Sequence, residues 1–164
     1  MKTLTCVAAM SLAASGAYCQ TAIDVVKEAV VVSDKLSDHQ GIMFSQFFTK
    51  AVVNDYNTIS ANSRGCDIWD GNLITRNQSE TDAKVIIASL AASDDRSAKV
   101  RAKIALTFDD TFHKTVEETF FLVQEDGRWK IDEIHFPPYD ENEKKVGYGT
   151  IHAYLHELAV KGCN

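Results

Sequence analysis

The sequence predicts an α+β fold in which N-terminal helices pack on a curved antiparallel meander sheet and a C-terminal helix follows. Three observations predict it. Residues 114–136 form two apolar runs around Asp126-Gly127, a dipeptide typical of a two-residue hairpin turn. Residues 99–108 alternate apolar and polar side chains, the period of a half-buried strand. Upstream of both, two segments carry apolar residues at helical spacing.

The first 19 residues have the features of a secretory signal peptide. Lys2 precedes a short apolar run, and the small residues Ala17 and Cys19 occupy positions −3 and −1 of a cleavage site. Cleavage two residues earlier and a lipid anchor on Cys19 are the alternatives. No stretch reaches the roughly 20 apolar residues that a membrane span needs. We therefore expect residues 20–164 to form a single α+β domain in the periplasm or outside the cell.

The net charge restricts the possible partners, and the cysteine content predicts a disulfide. The net charge of −6 argues against nucleic acid as a partner, because counterion release requires a positive face. Once the leader is removed, Cys66 and Cys163 remain, and an oxidising compartment favours a disulfide between them. Closing so long a loop would contribute about 4 kcal/mol. Two unpaired thiols are the alternative, because Cys163 lies near a chain end.

Two helices are predicted before the sheet. Thr21 and Asp24 fit a capping box that starts the first helix, and Ser37 and Gln40 fit a second one. The second helix is expected to end near Tyr56. Its apolar stripe consists of Phe44, Phe47, Phe48, Ala51 and Val52, with Lys50 and Asn54 facing outward. Residues 57–82 are polar, and we interpret them as an ordered loop.

The remaining elements follow from periodicity. Residues 83–91 are apolar on both faces, which predicts a buried strand, and residues 93–96 predict a turn. A change of parity at Asp132-Glu133 predicts a β-bulge. Pro137-Pro138 ends the sheet, because proline cannot donate to a ladder. The last helix is expected to turn inward the apolar side chains Ile151, Tyr154, Leu155 and Leu158.

The order of these elements resembles the nuclear transport factor 2-like (cystatin-like α+β) superfamily, and within it the small exported bacterial domains of unknown function. The resemblance covers roughly residues 38–136. The residues that carry it are Phe44, Phe47, Phe48, Asp126, Gly127, Trp129, Lys130, Ile131, Asp132 and Ile134. The chain departs from the superfamily's usual plan in two places. A polar loop replaces the usual third helix, and the C-terminal helix is an addition.

A structural role explains the candidate catalytic and metal-binding residues better than a chemical one does. His152 and His156 share a helix face, but zinc needs a third ligand and in most sites a fourth, so we expect no metal and no cofactor. In superfamily enzymes a carboxylate inside the cone acts as a base, and Asp132 resembles such a residue only by analogy. A solvated acidic edge explains Asp132 equally well. We expect a protein that is not an enzyme.

The functional hypothesis rests on the segment 119–123, which has large apolar side chains on both faces. Two helices can cover only one face, so the C-terminal helix, the long loop or another protein must cover the second. We therefore expect an exported, non-catalytic binding protein of the bacterial envelope that binds a protein partner, as an inhibitor, immunity-like protein or scaffold, or that self-associates. The alternative is a small apolar-ligand carrier or a cone-pocket enzyme that uses Asp132. The candidate pocket or partner residues are Phe120, Phe121, Trp129, Asp132, His135 and Tyr139.

Overall fold

The computed structural model describes residues 20–35, 45–62, 74, 82–108, 112–136 and 149–161. The elements in chain order are α1 (Ala22–Lys35), α2 (Lys50–Asn62), β1 (Asp82–Ser93), β2 (Ser97–Phe108), β3 (Phe112–Glu125), β4 (Arg128–His135) and α3 (Ile151–Lys161). The four strands form one antiparallel meander in the order β1-β2-β3-β4, and the sheet is curled but not closed. The predicted α+β class is confirmed.

The hairpin between β3 and β4 has the predicted turn and the predicted bulge. Asp126 and Gly127 have φ angles of 52° and 75°, so both adopt the left-handed conformation that a type I′ turn requires. Across the two strands Phe121 pairs with Glu133 and Leu122 pairs with Ile131, which leaves Asp132 as the extra residue. The bulge corrects the parity, so that Ile131 and Ile134 both reach the buried side of the sheet.

The core lies between α1 and one face of the sheet, which we call the inner face. Helix α1 contacts β1, β2 and β4. It begins with the predicted capping box: the Thr21 hydroxyl accepts a hydrogen bond from the Asp24 N–H at 3.2 Å, and the Asp24 carboxylate accepts one from the Thr21 N–H at 3.1 Å. The buried side chains of the inner face are Val100, Ala102, Ile104, Leu106, Val116, Phe120, Leu122, Ile131 and Ile134.

The second predicted helix is interrupted, and it ends later than expected. Residues 45–47 are helical, but Phe48 forms a parallel β-bridge with Ile131, and α2 starts only at Lys50. The helix continues to Asn62, so the first residues of the predicted polar loop are helical instead. Phe47, Phe48 and Val52 are buried as predicted, whereas Ala51 is exposed. The interruption arises because the chain exchanges a helical hydrogen bond for one to β4.

The prediction that β1 is a buried strand is wrong. The strand forms where expected, but it lies at the edge of the sheet, and Ile86, Ile87 and Leu90 are 53%, 57% and 48% exposed. Two bulges, at Ile86 and Ala91, interrupt its pairing with β2. An apolar run on both faces indicates a strand, but its burial depends on which elements cover it.

Helix α3 packs on β4 and on α2. Ile151 and Leu155 are buried and Tyr154 is partly buried, as the predicted stripe requires. The Glu133 carboxylate of β4 accepts hydrogen bonds from the N–H groups of Ile151 at 2.8 Å and His152 at 3.4 Å. An acidic side chain there satisfies unpaired donors and complements the helix dipole.

Several predictions concern residues outside the described ranges. They are the leader at 1–19, the second capping box at Ser37 and Gln40, the position of Phe44, the pairing of Cys66 with Cys163, the Pro137-Pro138 stop and the side chain of Tyr139. Among the helices that the structure describes, none is long and apolar enough to cross a membrane.

Candidate protein-binding surface

The two faces of β3 have different environments. Phe120 and Leu122 are 0% and 1% exposed in the core, so Phe120 cannot be part of a partner surface. Phe121 and Val123 point to the opposite face, which we call the outer face, and both are only partly buried. The segment 119–123 thus carries apolar side chains on both faces, as the sequence indicated, but only the inner set is sealed.

The outer face is basic as well as apolar. The inner-face positions of β2 alternate with Lys99, Arg101 and Lys103, which therefore project outward. These three cations lie opposite Phe121, Thr119 and Glu117 of β3. Within the described ranges none of the three forms an ion pair. A chain with a net charge of −6 thus concentrates free positive charge on one strand of one face.

Aromatic contacts organise one end of this basic strand. The Lys99 ammonium lies over the Phe121 ring, 5.2 Å from its centroid, which is a cation–π distance. On the other side of Phe121, the His135 ring has its centroid 4.4 Å away at an interplanar angle of 50°. We call Lys99, Arg101, Phe121 and His135 the outer-face cluster. It presents two cations, an aromatic ring and an imidazole on one face of the sheet.

Asp132, the predicted candidate base, has a structural role. Its carboxylate accepts a hydrogen bond from the Thr49 hydroxyl at 3.0 Å. The Thr49 N–H in turn donates to the Ile131 carbonyl at 3.0 Å, and the Thr49 hydroxyl accepts a hydrogen bond from the Val52 N–H at 3.4 Å. Thus the bulge that displaces Asp132 from the ladder directs its carboxylate to the N-terminal cap of α2. These contacts attach α2 to the sheet.

The tip of the hairpin is also attached to α2. The Lys50 ammonium donates to the Asp126 carboxylate at 2.7 Å, and the Lys50 N–H donates to the Glu125 carboxylate. The hydrogen bond to Lys50 lowers the pKa of Asp126, and the same contact raises the pKa of Lys50. Both groups are open to solvent, so this contact adds little to stability.

Lys130 links β4 to the helical turn at residues 45–47. Its ammonium donates to the carbonyls of Ser45, at 3.0 Å, and Gln46. Partial burial lowers the pKa of Lys130, an effect that the charge of Glu125 opposes. The resemblance included Lys130 only as part of a strand motif, whereas the structure shows that it holds the turn before α2.

Sequence reasoning missed Glu118, a carboxylate on the inner face. Its side chain is 2% exposed and lies opposite Ala102 on β2. The signal was present, since Val116, Glu118 and Phe120 have the same parity on β3. Trp129, by contrast, is partly buried against the core as the candidate list allowed. If the inner face has a polar function, Glu118 is a better candidate for it than Asp132.

The two histidines of α3 have different surroundings. The His152 ring is 3.7 Å from the Asp55 carboxylate of α2, and His156 is exposed. In the part of the chain that the structure describes, no group of three His, Cys, Asp or Glu side chains could hold a metal ion.

Comparisons with known proteins identify no family for this chain. No protein-family model matches it, and no curated protein does. Among solved structures it is similar to a protein of unknown function from Bacteroides thetaiotaomicron, with 18% sequence identity and a TM-score of 0.43. The similarity covers 69% of this chain and 87% of that one.

Proposed function

We propose that this chain is an exported, non-catalytic binding protein that recognises an acidic region of another protein with the outer face of its sheet. The outer-face cluster carries this proposal. Lys99 and Arg101 have no ion-pair partner within the described residues, and Phe121 and His135 add apolar area beside them. Interfaces favour aromatic and arginine side chains at such a centre.

An acidic protein fits this face better than a nucleic acid does. The cations occupy one strand, with Glu117 opposite Lys103 and the apolar Ile87 on its other side. Nucleic acid requires a continuous positive surface along many phosphates, and the strongly acidic remainder of the chain would repel it. A short acidic segment needs only two or three cations, and the local positive charge of β2 would steer it to the outer face although the chain as a whole is acidic.

Fluorescein-labelled poly-L-glutamate is a suitable probe of this face, with binding measured by fluorescence anisotropy. We expect binding that weakens as NaCl is raised from about 50 to about 300 mM, because salt screens exposed charges. Arg101→Glu should weaken it about tenfold, or about 1.4 kcal/mol. Lys27→Glu is the matched control, since Lys27 is an exposed cation on α1. Equal effects of the two variants, or stronger binding to a single-stranded oligonucleotide, would contradict the proposal.

Export is a separate part of the proposal and has its own measurement. The mass of the chain purified from an envelope fraction should correspond to a start at Gln20 or two residues earlier. Without reduction, a peptide map should show Cys66 linked to Cys163. A chain that retains Met1, or two free thiols in freshly purified material, would contradict these two expectations.

We further propose membership of the nuclear transport factor 2-like superfamily, which the helices on one face of a curled meander support. The second candidate function is binding of a small molecule at the inner face, with Glu118 in place of Asp132 as its polar group. The buried position of the Glu118 carboxylate favours this candidate. A ligand that binds wild type but not Glu118→Gln, at unchanged thermal stability, would establish it.

A further inference from the structure

The edge of β1 that faces away from β2 carries most of the exposed large apolar side chains in the described part of the chain. The strand has twelve residues, and among the described strands it pairs with β2 alone. Three of the four exposed large hydrophobic residues, Ile86, Ile87 and Leu90, lie on it. Their side chains lie next to the backbone N–H and C=O groups of this edge, so a partner strand could bind to both.

Several of the usual protections of a sheet edge are missing from β1. Natural edges are short, charged, bulged, interrupted by proline or covered by another element, and β1 has only the bulges and two charged residues at its start. The charged residues of β1 are Asp82 and Lys84, both at its start, and the nine residues from Val85 to Ser93 contain no charge and no proline. The two bulges twist the strand but leave its second half free of charge.

We propose that β1 pairs antiparallel with β1 of a second copy of this chain, which joins the two sheets into one of eight strands. The inference goes beyond the proposed function, because the outer-face cluster lies on β2, β3 and β4. A two-fold axis perpendicular to the sheet relates the copies, so both outer faces lie on the same side. The dimer therefore presents two copies of the outer-face cluster to one partner surface.

Charge favours a second copy in the antiparallel direction. Pairing about the middle of β1 places the two Lys84 side chains at opposite ends of the joint, whereas parallel pairing would set them side by side. The basic side chains of the two β2 strands would be three strand spacings apart, about 14 Å. That distance exceeds the Debye length of about 8 Å at physiological salt, so their repulsion is screened.

The apolar residues also fit a self-complementary joint. Ile87 lies opposite Lys103 on the outer face, and Leu90 lies opposite Val100 on the inner face. Antiparallel pairing brings the Ile86–Leu90 segments of the two copies together on both faces. The same exposed side chains of both copies then form the interface, as the two-fold symmetry of an isologous interface requires.

Light scattering during size-exclusion chromatography tests the dimer at concentrations between about 5 and 200 µM, the range in which modest interfaces assemble. We expect the mass to rise from that of one chain to that of two. Ile87→Lys should keep the protein monomeric over the whole range. Thr115→Lys, at an exposed position on β3, is the matched control and should dimerise like wild type. A monomer at every concentration, or a dimer unaffected by Ile87→Lys, would overturn the proposal.

Hydrogen exchange supplies a second measurement that does not depend on a variant. The β1 amides that point away from β2 should become protected as the concentration rises, and the exchange rates of the α2 amides should not change. Protection confined to β2 and β3 would place self-association on the outer face and overturn the edge model. The proposed function is tested independently: Leu90→Lys, which changes an exposed side chain on the inner face of the same edge, should also give monomers, and these should still bind poly-L-glutamate, whereas Arg101→Glu should still dimerise.

Discussion

The two edges of the sheet differ in almost every respect. At β4, Phe48 bridges Ile131 in the middle of the strand, and Thr150 bridges His135 at its end. The N–H of Phe136, just beyond the strand, donates to the Gly149 carbonyl at 3.1 Å. At β1 no comparable bridge is present among the described residues, and large apolar side chains remain exposed.

The contrast has a chemical origin in the side chains of each strand. β4 carries Lys130, Asp132 and Glu133, and each of them binds backbone or hydroxyl groups of a covering segment. β1 has no polar side chain between Val85 and Ala88 that could hold such a segment. Polar residues beside a bulge can therefore close an edge, whereas an apolar run without them leaves it available for pairing.

The largest expected effect is on the covered edge. Phe48→Ala removes a side chain that is 1% exposed in the core and also weakens the cover of β4. We expect the free energy of unfolding to fall by about 3–5 kcal/mol, measured by urea denaturation at low micromolar concentration. Ile87→Ala, the matched change on the open edge, should cost less than about 0.5 kcal/mol in the monomer. Similar losses for both variants would show that β1 is covered as well.

A smaller effect is expected at the junction of β4 and α3. Glu133→Ala removes the carboxylate that accepts the Ile151 and His152 N–H groups, and should reduce stability by about 1–2 kcal/mol. Amide exchange should accelerate in α3 more than in α1. Glu117→Ala, at an exposed carboxylate on β3, serves as the control and should stay within about 0.5 kcal/mol of wild type. An unchanged exchange rate of the α3 amides in Glu133→Ala would mean that this carboxylate does not hold α3 against β4.

The smallest effect concerns the turn that joins β1 to β2. The Asp94 carboxylate accepts hydrogen bonds from the N–H groups of Arg96 and Ser97 at 2.7 and 2.6 Å, and those bonds, with one from the Ser97 hydroxyl, lower its pKa below the ordinary 3.8. Because the folded pKa is the lower one, the stabilisation is complete well above pH 3.8 and disappears as pH falls through the folded value.

Asp94→Asn tests this pH dependence. The variant should be slightly less stable than wild type at pH 7, and the difference should shrink as pH falls below about 3.8. Thermal melts between pH 7 and pH 2.5 measure it, with the neighbouring Asp95→Asn as the control for loss of charge. A difference that stays constant with pH would mean that the ionised Asp94 does not hold the turn.

Prediction from sequence succeeded where the determining interactions are local. The capping box at Thr21, the Asp126-Gly127 turn and the alternation of β2 all depend on residues a few positions apart. The bulge at Asp132 could also be predicted, because an extra residue reverses the parity of the strand. The break at Phe48 could not be predicted, because nothing local opposes a continuous helix there. The hydrogen bond that replaces the helical one runs from the Thr49 N–H to the carbonyl of the distant Ile131.

The candidate surface was predicted only in part. Phe121 and His135 were named, and the alternation of residues 99–108 indicated a polar face that includes Lys99 and Arg101. The meeting of these four residues in one cluster follows from the register of three strands. Phe120 was named as a pocket or partner residue, and it lies buried on the inner face, away from this cluster. Glu118 was overlooked because a charged residue is expected outside, although its parity placed it inside.

The sequence by itself determined the α+β class, the hairpin, its bulge and the start of α1, since short-range backbone geometry and side-chain periodicity specify each of them. Only the tertiary structure decided which edge of the sheet is closed and which side chains of β1 remain exposed. Burial and edge protection depend on contacts between segments far apart in the chain, and an apolar run reads the same whether a neighbour covers it or not.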